Sequence, residues 1–119
     1  MRDADYAGSN ERGNQLKAEM IRFCEDARLR GGNFTKVSRV RMAKTFAASI
    51  AAAPEGALIE NCGDHTTRYE KLGDGSWRET GSWRTPASRI VDADMVRAFL
   101  LGVSVWDDKP DFTGLILQL

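Results

Sequence analysis

The sequence has little of the chemistry on which secreted, metal-binding and membrane proteins depend. Of its 119 residues only two are cysteine, one is histidine and three are proline, and the formal net charge is zero. Two cysteines do not make a disulfide framework, and a single histidine leaves a zinc site short of ligands. No apolar run approaches the roughly 20 residues that span a bilayer. A neutral chain also has no overall field that would attract nucleic acid or a membrane surface.

Composition and length indicate one globular domain. Hydrophobic residues make up 42% and charged residues 29%, which is ordinary usage for a folded protein. A chain of this length supports one core, so we expect a flexible N-terminus over residues 1–10 and a single domain over residues 11–119. The first residues contain no apolar stretch typical of a secretory signal, so we expect a cytoplasmic location.

The clearest local pattern is a β-hairpin over residues 65–81. Two β-compatible runs flank a Gly-Asp-Gly turn. A two-residue loop would place like charges opposite each other at two positions, which is unfavourable. A three-residue loop, with the last glycine left-handed as a bulge, instead places Glu70 opposite Arg78 and Lys71 opposite Trp77. We predict this second register.

Three helices are predicted around the hairpin. The first, over residues 11–30, has one apolar stripe with Cys24 at its edge as a buried thiol. The second, over residues 36–53, is apolar over a wider arc, so we expect it to be more buried and to lie centrally against the sheet. Its alanine-rich half should let another element approach closely. The third begins at the N-cap Asp92 and ends at Gly102.

Short strands complete the predicted fold. They fall at residues 57–61, in the hairpin, at 103–106 and at 112–119, while residues 82–86 read as a strand extension or a loop. The resulting order is ααβββαββ. Short turns between strands favour an antiparallel or mixed sheet of about four to five strands with two to three helices packed on one face, an α+β class.

The segment Cys62-Gly63-Asp64-His65 is where cysteine, histidine and carboxylate meet. A zinc site here would need Cys24 and further carboxylates to complete it. A Cys62–His65 nucleophilic pair is a chemical alternative, but two neighbours on a turn rarely reach the required geometry. We favour a polar turn between strands, and expect no metal, no cofactor and no enzymatic activity.

A basic stretch lies between residues 28 and 44, where six cations occur with no acidic residue among them. One interpretation is a surface that binds the phosphate backbone of nucleic acid. The other, which we favour, is a solvated face whose charges meet the acidic C-terminal part of the same fold or of a second copy. The six cations are Arg28, Arg30, Lys36, Arg39, Arg41 and Lys44.

The segment that follows the hairpin has the composition of a protein interface. Trp83 and Arg84 are adjacent residues of the types enriched at interface hot spots. An unpaired hairpin edge would also accept a strand from a partner or from a second copy. We therefore expect Trp83 and Arg84, with Tyr69 and Trp77 on one face of the hairpin, to contact a protein partner.

Three runs together resemble small accessory, non-virion proteins of actinobacterial phages, such as mycobacteriophages. They are Ala-Ala-Ala-Pro-Glu-Gly-Ala-Leu-Ile (51–59), Thr-Arg-Tyr-Glu-Lys-Leu-Gly-Asp-Gly-Ser-Trp (67–77) and Val-Asp-Ala-Asp-Met-Val (91–96). The resemblance implies a phage-encoded protein in a host cytoplasm. Our leading hypothesis is a small non-enzymatic interaction protein that binds a host or phage protein and can form a homo-oligomer. Nucleic-acid binding through residues 28–44 is the first alternative, and an enzyme using Cys62 and His65 is the second.

Overall fold

The computed structural model describes residues 8–62, 66–81, 88–106 and 112–119. These residues form three helices, α1 (Glu11–Leu29), α2 (Lys36–Ala52) and α3 (Ala93–Trp106), and five strands, β1 (Leu58–Asn61), β2 (Thr67–Lys71), β3 (Trp77–Gly81), β4 (Ser88–Val91) and β5 (Leu115–Gln118). The predicted α+β class is confirmed. Within these ranges, no helix combines the length and the hydropathy that a membrane crossing requires.

The sheet is antiparallel throughout, with the strand order β4-β3-β2-β1-β5. Its central hairpin has the predicted register, since Glu70 lies opposite Arg78 and Lys71 opposite Trp77. Glu70 and Arg78 form an ion pair of 3.4 Å on the outer face. Gly75 has a φ of +89°, the left-handed bulge conformation that the three-residue loop requires. Charge complementarity across the strands therefore selected the correct register.

The hairpin turn is fixed by one side chain. The Asp74 carboxylate accepts hydrogen bonds from the Ser76 backbone N–H at 3.0 Å and from the Ser76 hydroxyl at 2.5 Å. The hydroxyl and backbone bonds from Ser76 lower the pKa of Asp74, because both favour its charged form.

The core lies between the helices and one face of the sheet. Because side chains alternate along a strand, every second residue of each strand faces the helices. The buried side chains on this face include Ile59, Tyr69, Trp77, Val91, Leu115 and Leu117. The opposite face is largely polar and carries Arg68, Glu70 and Arg78. Helices therefore cover one face of the sheet, as predicted.

Helix α1 packs closely on β5 at Gly13. A Cβ atom at this position would lie 1.7 Å from the carbonyl oxygen of Leu117, so only glycine allows the helix to approach the strand this far. One turn further on, the Lys17 ammonium donates to the Leu115 carbonyl at 2.7 Å. Leu16, Met20, Phe23 and Ala27 are buried, which confirms the predicted stripe. Cys24 is buried as expected, and its thiol donates to the Ser104 carbonyl at 3.2 Å.

The chain departs from the predicted order around α3. The helix begins at the predicted cap, where the Met95 N–H donates to Asp92 at 3.0 Å, but it passes through Gly102 and continues to Trp106. The strand predicted at 103–106 is wrong, because Ser104 is buried against α1 and bonds the Leu100 carbonyl within the helix. The strand β4, which we did not predict, precedes α3. The observed order is ααββββαβ.

The largest correction concerns α2. It has three buried residues, whereas α1 has seven. Helix α2 packs chiefly against α3 and not centrally on the sheet. Several residues of its predicted apolar arc, including Val37, Val40, Ala47 and Ala51, are exposed. The expectation that α2 is the more buried helix is therefore wrong.

Candidate functional site: a groove between the first two helices

Helix α2 carries apolar side chains on two opposite faces. Met42, Phe46 and Ile50, spaced four residues apart, are buried against the core. On the opposite face Val37 is 70% and Val40 48% exposed. The spacing of positions 37, 40, 41 and 44 places two valines and two cations side by side on this outer face. The exposed valines show that the fold covers α2 on one side only, which is the first sign of a binding surface on this helix.

The charge on α2 is of one sign. No aspartate or glutamate occurs anywhere between Lys36 and Ala52. The partner of an exposed surface tends to carry the complementary charge, so the surface is suited to an acidic partner.

A groove separates α2 from α1. It consists of two cavities, of about 660 Å³ and about 320 Å³, that share Glu19, Arg22 and Thr45 in their walls. The larger cavity has an apolar floor and the smaller one ends beside the α1–α2 loop. The lining residues are, on the larger side, Arg12, Gln15, Leu16, Ala18, Ala48, Ser49, Ala52 and Leu119, and, on the smaller side, Phe23, Asp26, Arg30, Ser38, Arg41 and Met42. We call this feature the helical groove.

The walls of the helical groove are positively charged at both ends. The two acidic side chains in the lining are already occupied, since Glu19 binds Arg22 and Asp26 lies 3.4 Å from Arg30. No described acidic residue pairs with Arg12 at one end or with Arg41 at the other. The groove thus combines an apolar floor with cations at its two ends that are free, among the described residues, to bind carboxylates.

The predicted basic stretch is only partly in the groove. All six of its cations are exposed, and Arg30 and Arg41 line the groove. Arg39 instead lies over the ring of Phe34, with 5.9 Å between the guanidinium carbon and the ring centroid. The favoured interpretation, pairing with the acidic C-terminal part, finds no such pair among the described residues. Asp107, Asp108 and Asp111 lie outside those residues.

Two of the four residues predicted to contact a protein partner, Tyr69 and Trp77, do not lie on the surface. Tyr69 and Trp77 are 3% and 0% exposed, so both are core residues in this fold. The Tyr69 hydroxyl donates to the buried Glu79 carboxylate at 2.6 Å, and Glu79 also accepts from Arg89 at 2.7 Å. The inner face of the hairpin is thus occupied by its own packing.

The hairpin edge is not open either. Strand β1 pairs with β2, and β4 pairs with β3, so both hairpin strands are internal to the sheet. This corrects the expected docking edge, because the unpredicted strand β4 occupies it. Trp83 and Arg84 lie outside the described residues.

The cysteine-centred alternative gains no support. Desolvation and the Glu60 carboxylate, 3.6 Å from the Cys62 sulfur, raise the pKa of the Cys62 thiol. A raised pKa leaves less of the nucleophilic thiolate at neutral pH. His65 lies outside the described residues, and within those residues no group of three or more potential metal ligands comes together.

The chain matches no protein-family model, no curated protein and no solved structure. The site therefore has to be judged on its own geometry. Sequence reasoning missed the helical groove, because the distance between two helices is not visible in the pattern of either one. A signal was present all the same, since the apolar residues of α2 extend beyond one face and the helix has no acidic residue.

Proposed function

We propose that this protein is a non-enzymatic interaction protein that binds a helical segment of a protein partner in the helical groove. The observation that carries the proposal is the groove itself, which is apolar at its floor and cationic at its ends. Laying an amphipathic helix into an apolar groove is a common mode of peptide recognition.

The dimensions of the groove fit such a ligand. Its lining follows α1 from Arg12 to Arg30, and that length of helix spans about 27 Å at the usual rise per residue. A bound helix of similar length has about five turns.

The lining also specifies the chemistry of the ligand. Ala48 and Ala52 on the wall of α2 have short side chains, so a helix backbone can approach closely there. Arg12 and Arg41 favour carboxylates near the two ends of the ligand. The expected ligand is therefore a helix with an apolar stripe and acidic residues towards its ends.

A selection experiment tests this proposal. A displayed library of random 18-residue peptides is selected on the protein (a length chosen on the order of the groove), and the enriched peptides are compared on two variants. Ala48→Trp fills the groove, while Ala98→Trp introduces the same side chain at an exposed position of α3 that lies outside the groove. We expect acidic amphipathic sequences that bind the wild type and Ala98→Trp but lose binding on Ala48→Trp. Enrichment that is insensitive to Ala48→Trp would refute the proposal.

A second candidate function is the binding of a nucleic-acid backbone. The observation that favours it is the exposure of all six cations between Arg28 and Lys44, with no acidic residue in between. Arg39 and Arg41 separate the two candidates, because Arg41 lines the helical groove and Arg39 does not. Phosphate binding predicts that Arg39→Ala and Arg41→Ala weaken retention of a labelled 20-base-pair DNA to a similar extent, in a salt-dependent way.

The helix-binding proposal makes the opposite prediction for that pair. Arg41→Ala should weaken peptide binding several-fold, while Arg39→Ala should leave it unchanged. The phage origin and the host-cytoplasm location that the resemblance implies stay predictions, and a cytoplasmic partner of either origin is compatible with the groove.

A further inference from the structure

The two edge strands of the sheet, β5 and β4, differ in whether their outer backbone groups are hydrogen-bonded. The outer edge of β5 is closed by residues 8–10. The Leu117 carbonyl accepts from the Asn10 N–H at 3.2 Å, and the Leu117 N–H donates to the Ser9 hydroxyl at 3.0 Å. The Asn10 side chain binds both the N–H and the carbonyl of Leu119, at 3.1 and 2.8 Å. Residues 8–10, at the end of the segment predicted to be flexible, are thus hydrogen-bonded to the C-terminal strand.

Strand β4 forms the opposite edge. It pairs with β3 on one side, and no described strand pairs with it on the other. Ser88, Arg89 and Ile90 are exposed, and Ile90 is one of the large apolar residues that the described surface leaves in solvent, at 58% exposure. The unpaired backbone N–H and carbonyl groups of such an edge are a template for another strand.

We infer that a second copy of this chain pairs with β4. Two β4 strands, antiparallel and related by a two-fold axis at Ile90, would join the two sheets into one continuous sheet of ten strands. The helices of both copies would then lie on the same side. This interaction surface is separate from the helical groove, so it does not depend on the function proposed above.

The register follows from which face each side chain occupies. Ile90 lies opposite Arg78 on the outer face, while Arg89 lies opposite Glu79 on the face that the helices cover. Residues directly opposite each other share a face, so the register between the two copies can change only in steps of two residues. An axis at Arg89 would place Arg89 opposite its own copy, which is repulsive.

An axis at Ile90 makes the edge self-complementary. Ile90 then lies opposite Ile90 of the second copy, Arg89 opposite Val91, and Ser88 opposite Asp92. No like charges meet, and the exposed isoleucine becomes buried against its equivalent. The Arg89–Glu79 ion pair, at 2.7 Å, remains within each copy. Charge and apolar burial therefore favour the same partner and the same register.

The association should be weak. A strand of four residues contributes a contact well below the roughly 1,200 Å² of a stable interface. We expect a dissociation constant in the micromolar range or above, so the dimer should form only at high local concentration.

Sedimentation velocity tests the association. Across a concentration series from about 5 to about 500 μM, chosen to bracket a weak interface, the wild type should shift from monomer towards twice that mass. Ile90→Lys should stay monomeric, because it places two ammonium groups opposite each other. Met95→Lys introduces the same charge at another exposed apolar position and should associate like the wild type. A wild type that stays monomeric throughout, or an Ile90→Lys variant that still dimerises, would overturn the inference.

Cysteine cross-linking tests the register. In a Cys62→Ser background, Ile90→Cys should form a disulfide-linked dimer under mild oxidation, because the paired Cβ atoms would lie about 5 Å apart. Ser88→Cys, on the same face, would be separated from its copy by about 13 Å, beyond the reach of a disulfide. Cross-linking of Ser88→Cys as fast as Ile90→Cys, or of neither, would contradict the proposed pairing.

Discussion

Helices α1 and α2 meet the rest of the fold in different ways. Helix α1 lies on β5 so closely that a Cβ at Gly13 would overlap the Leu117 carbonyl. Four of its exposed charges are paired with each other, Glu19 with Arg22 and Asp26 with Arg30. Helix α2 has three buried residues and exposes valines, alanines and cations on its other side.

This comparison distinguishes α1, which is packed on the sheet, from α2, which leaves its outer side exposed. On α1 the sequence pattern and the observed burial agree, so its buried stripe is explained by the fold of one chain. On α2 the pattern predicts more burial than the fold provides. The exposed Val37 and Val40 lie outside the helical groove, so the proposed function rests on the groove lining and not on this outer face.

The largest effect should come from the contact that fixes α1. Gly13→Ala places a methyl group where the Leu117 carbonyl lies, and should lower the free energy of unfolding by about 3 kcal/mol. Gly102→Ala is the matched control, because a Cβ there meets nothing within 4 Å. In the interior of α3 it should raise the free energy of unfolding by up to about 1 kcal/mol. Urea denaturation of both variants measures the contrast, and a similar response at both positions would contradict the close packing of α1.

The two faces of α2 should respond differently to truncation. Phe46 is fully buried, so Phe46→Ala should cost about 3–5 kcal/mol of unfolding free energy. Val40 is 48% exposed, and Val40→Ala should change the unfolding free energy by less than about 0.5 kcal/mol. Thermal denaturation of the two variants gives the comparison. A large destabilisation by Val40→Ala would mean that the outer face belongs to the core of the protein.

The N-caps of the two helices offer a smaller test of the same comparison. Asn10 accepts from the Gly13 N–H at 2.9 Å and also binds Leu119 twice, so it connects α1 to β5. Thr35 accepts from the Ser38 N–H at 3.1 Å and caps α2 locally. We expect Asn10→Ala to cost about 2 kcal/mol and Thr35→Ala about 1 kcal/mol. If chemical denaturation showed the same loss of unfolding free energy for both variants, the two caps would not differ in the way described.

The smallest expected effect is a pH dependence of the unfolding free energy. It arises in the hairpin turn, outside both helices. Because Ser76 lowers the pKa of folded Asp74, this carboxylate stabilises the fold above its ordinary pKa, and the contribution is lost as the pH falls through the lower folded value. The stability difference between the wild type and Asp74→Ala should therefore narrow below about pH 4. Asp74→Asn keeps an acceptor without a titrating charge, so its difference from Asp74→Ala should not depend on pH in that range.

Local rules predicted the parts of the fold that local chemistry determines. Cross-strand charge gave the hairpin register, and helical spacing gave the buried stripe of α1. They failed where tertiary contacts decide, as at Gly102, which has the residue type of a helix end but is held in α3 by the burial of Ser104 two residues later. Strand β4 was missed because three of its four residues are exposed and show no alternation.

The candidate site was less accessible to prediction than the fold. Its lining comes mainly from two helices whose separation neither pattern encodes. Among the predicted residues that the structure describes, only Arg30 and Arg41 belong to it. The sequence predicts Tyr69 and Trp77 as contact residues, because aromatic composition does not distinguish a core from an interface. The burial of each side chain distinguishes the two, and burial is known only from the folded structure.

Chemical-shift mapping of a selected peptide on the isotopically labelled protein tests the central claim most directly. We expect the amides of residues 12–30 and 38–52, on the two walls of the helical groove, to shift on titration and to stay unshifted when Ala48→Trp fills the groove. Shifts confined to residues 88–91 would place the bound peptide at the edge of the sheet and contradict the proposed site.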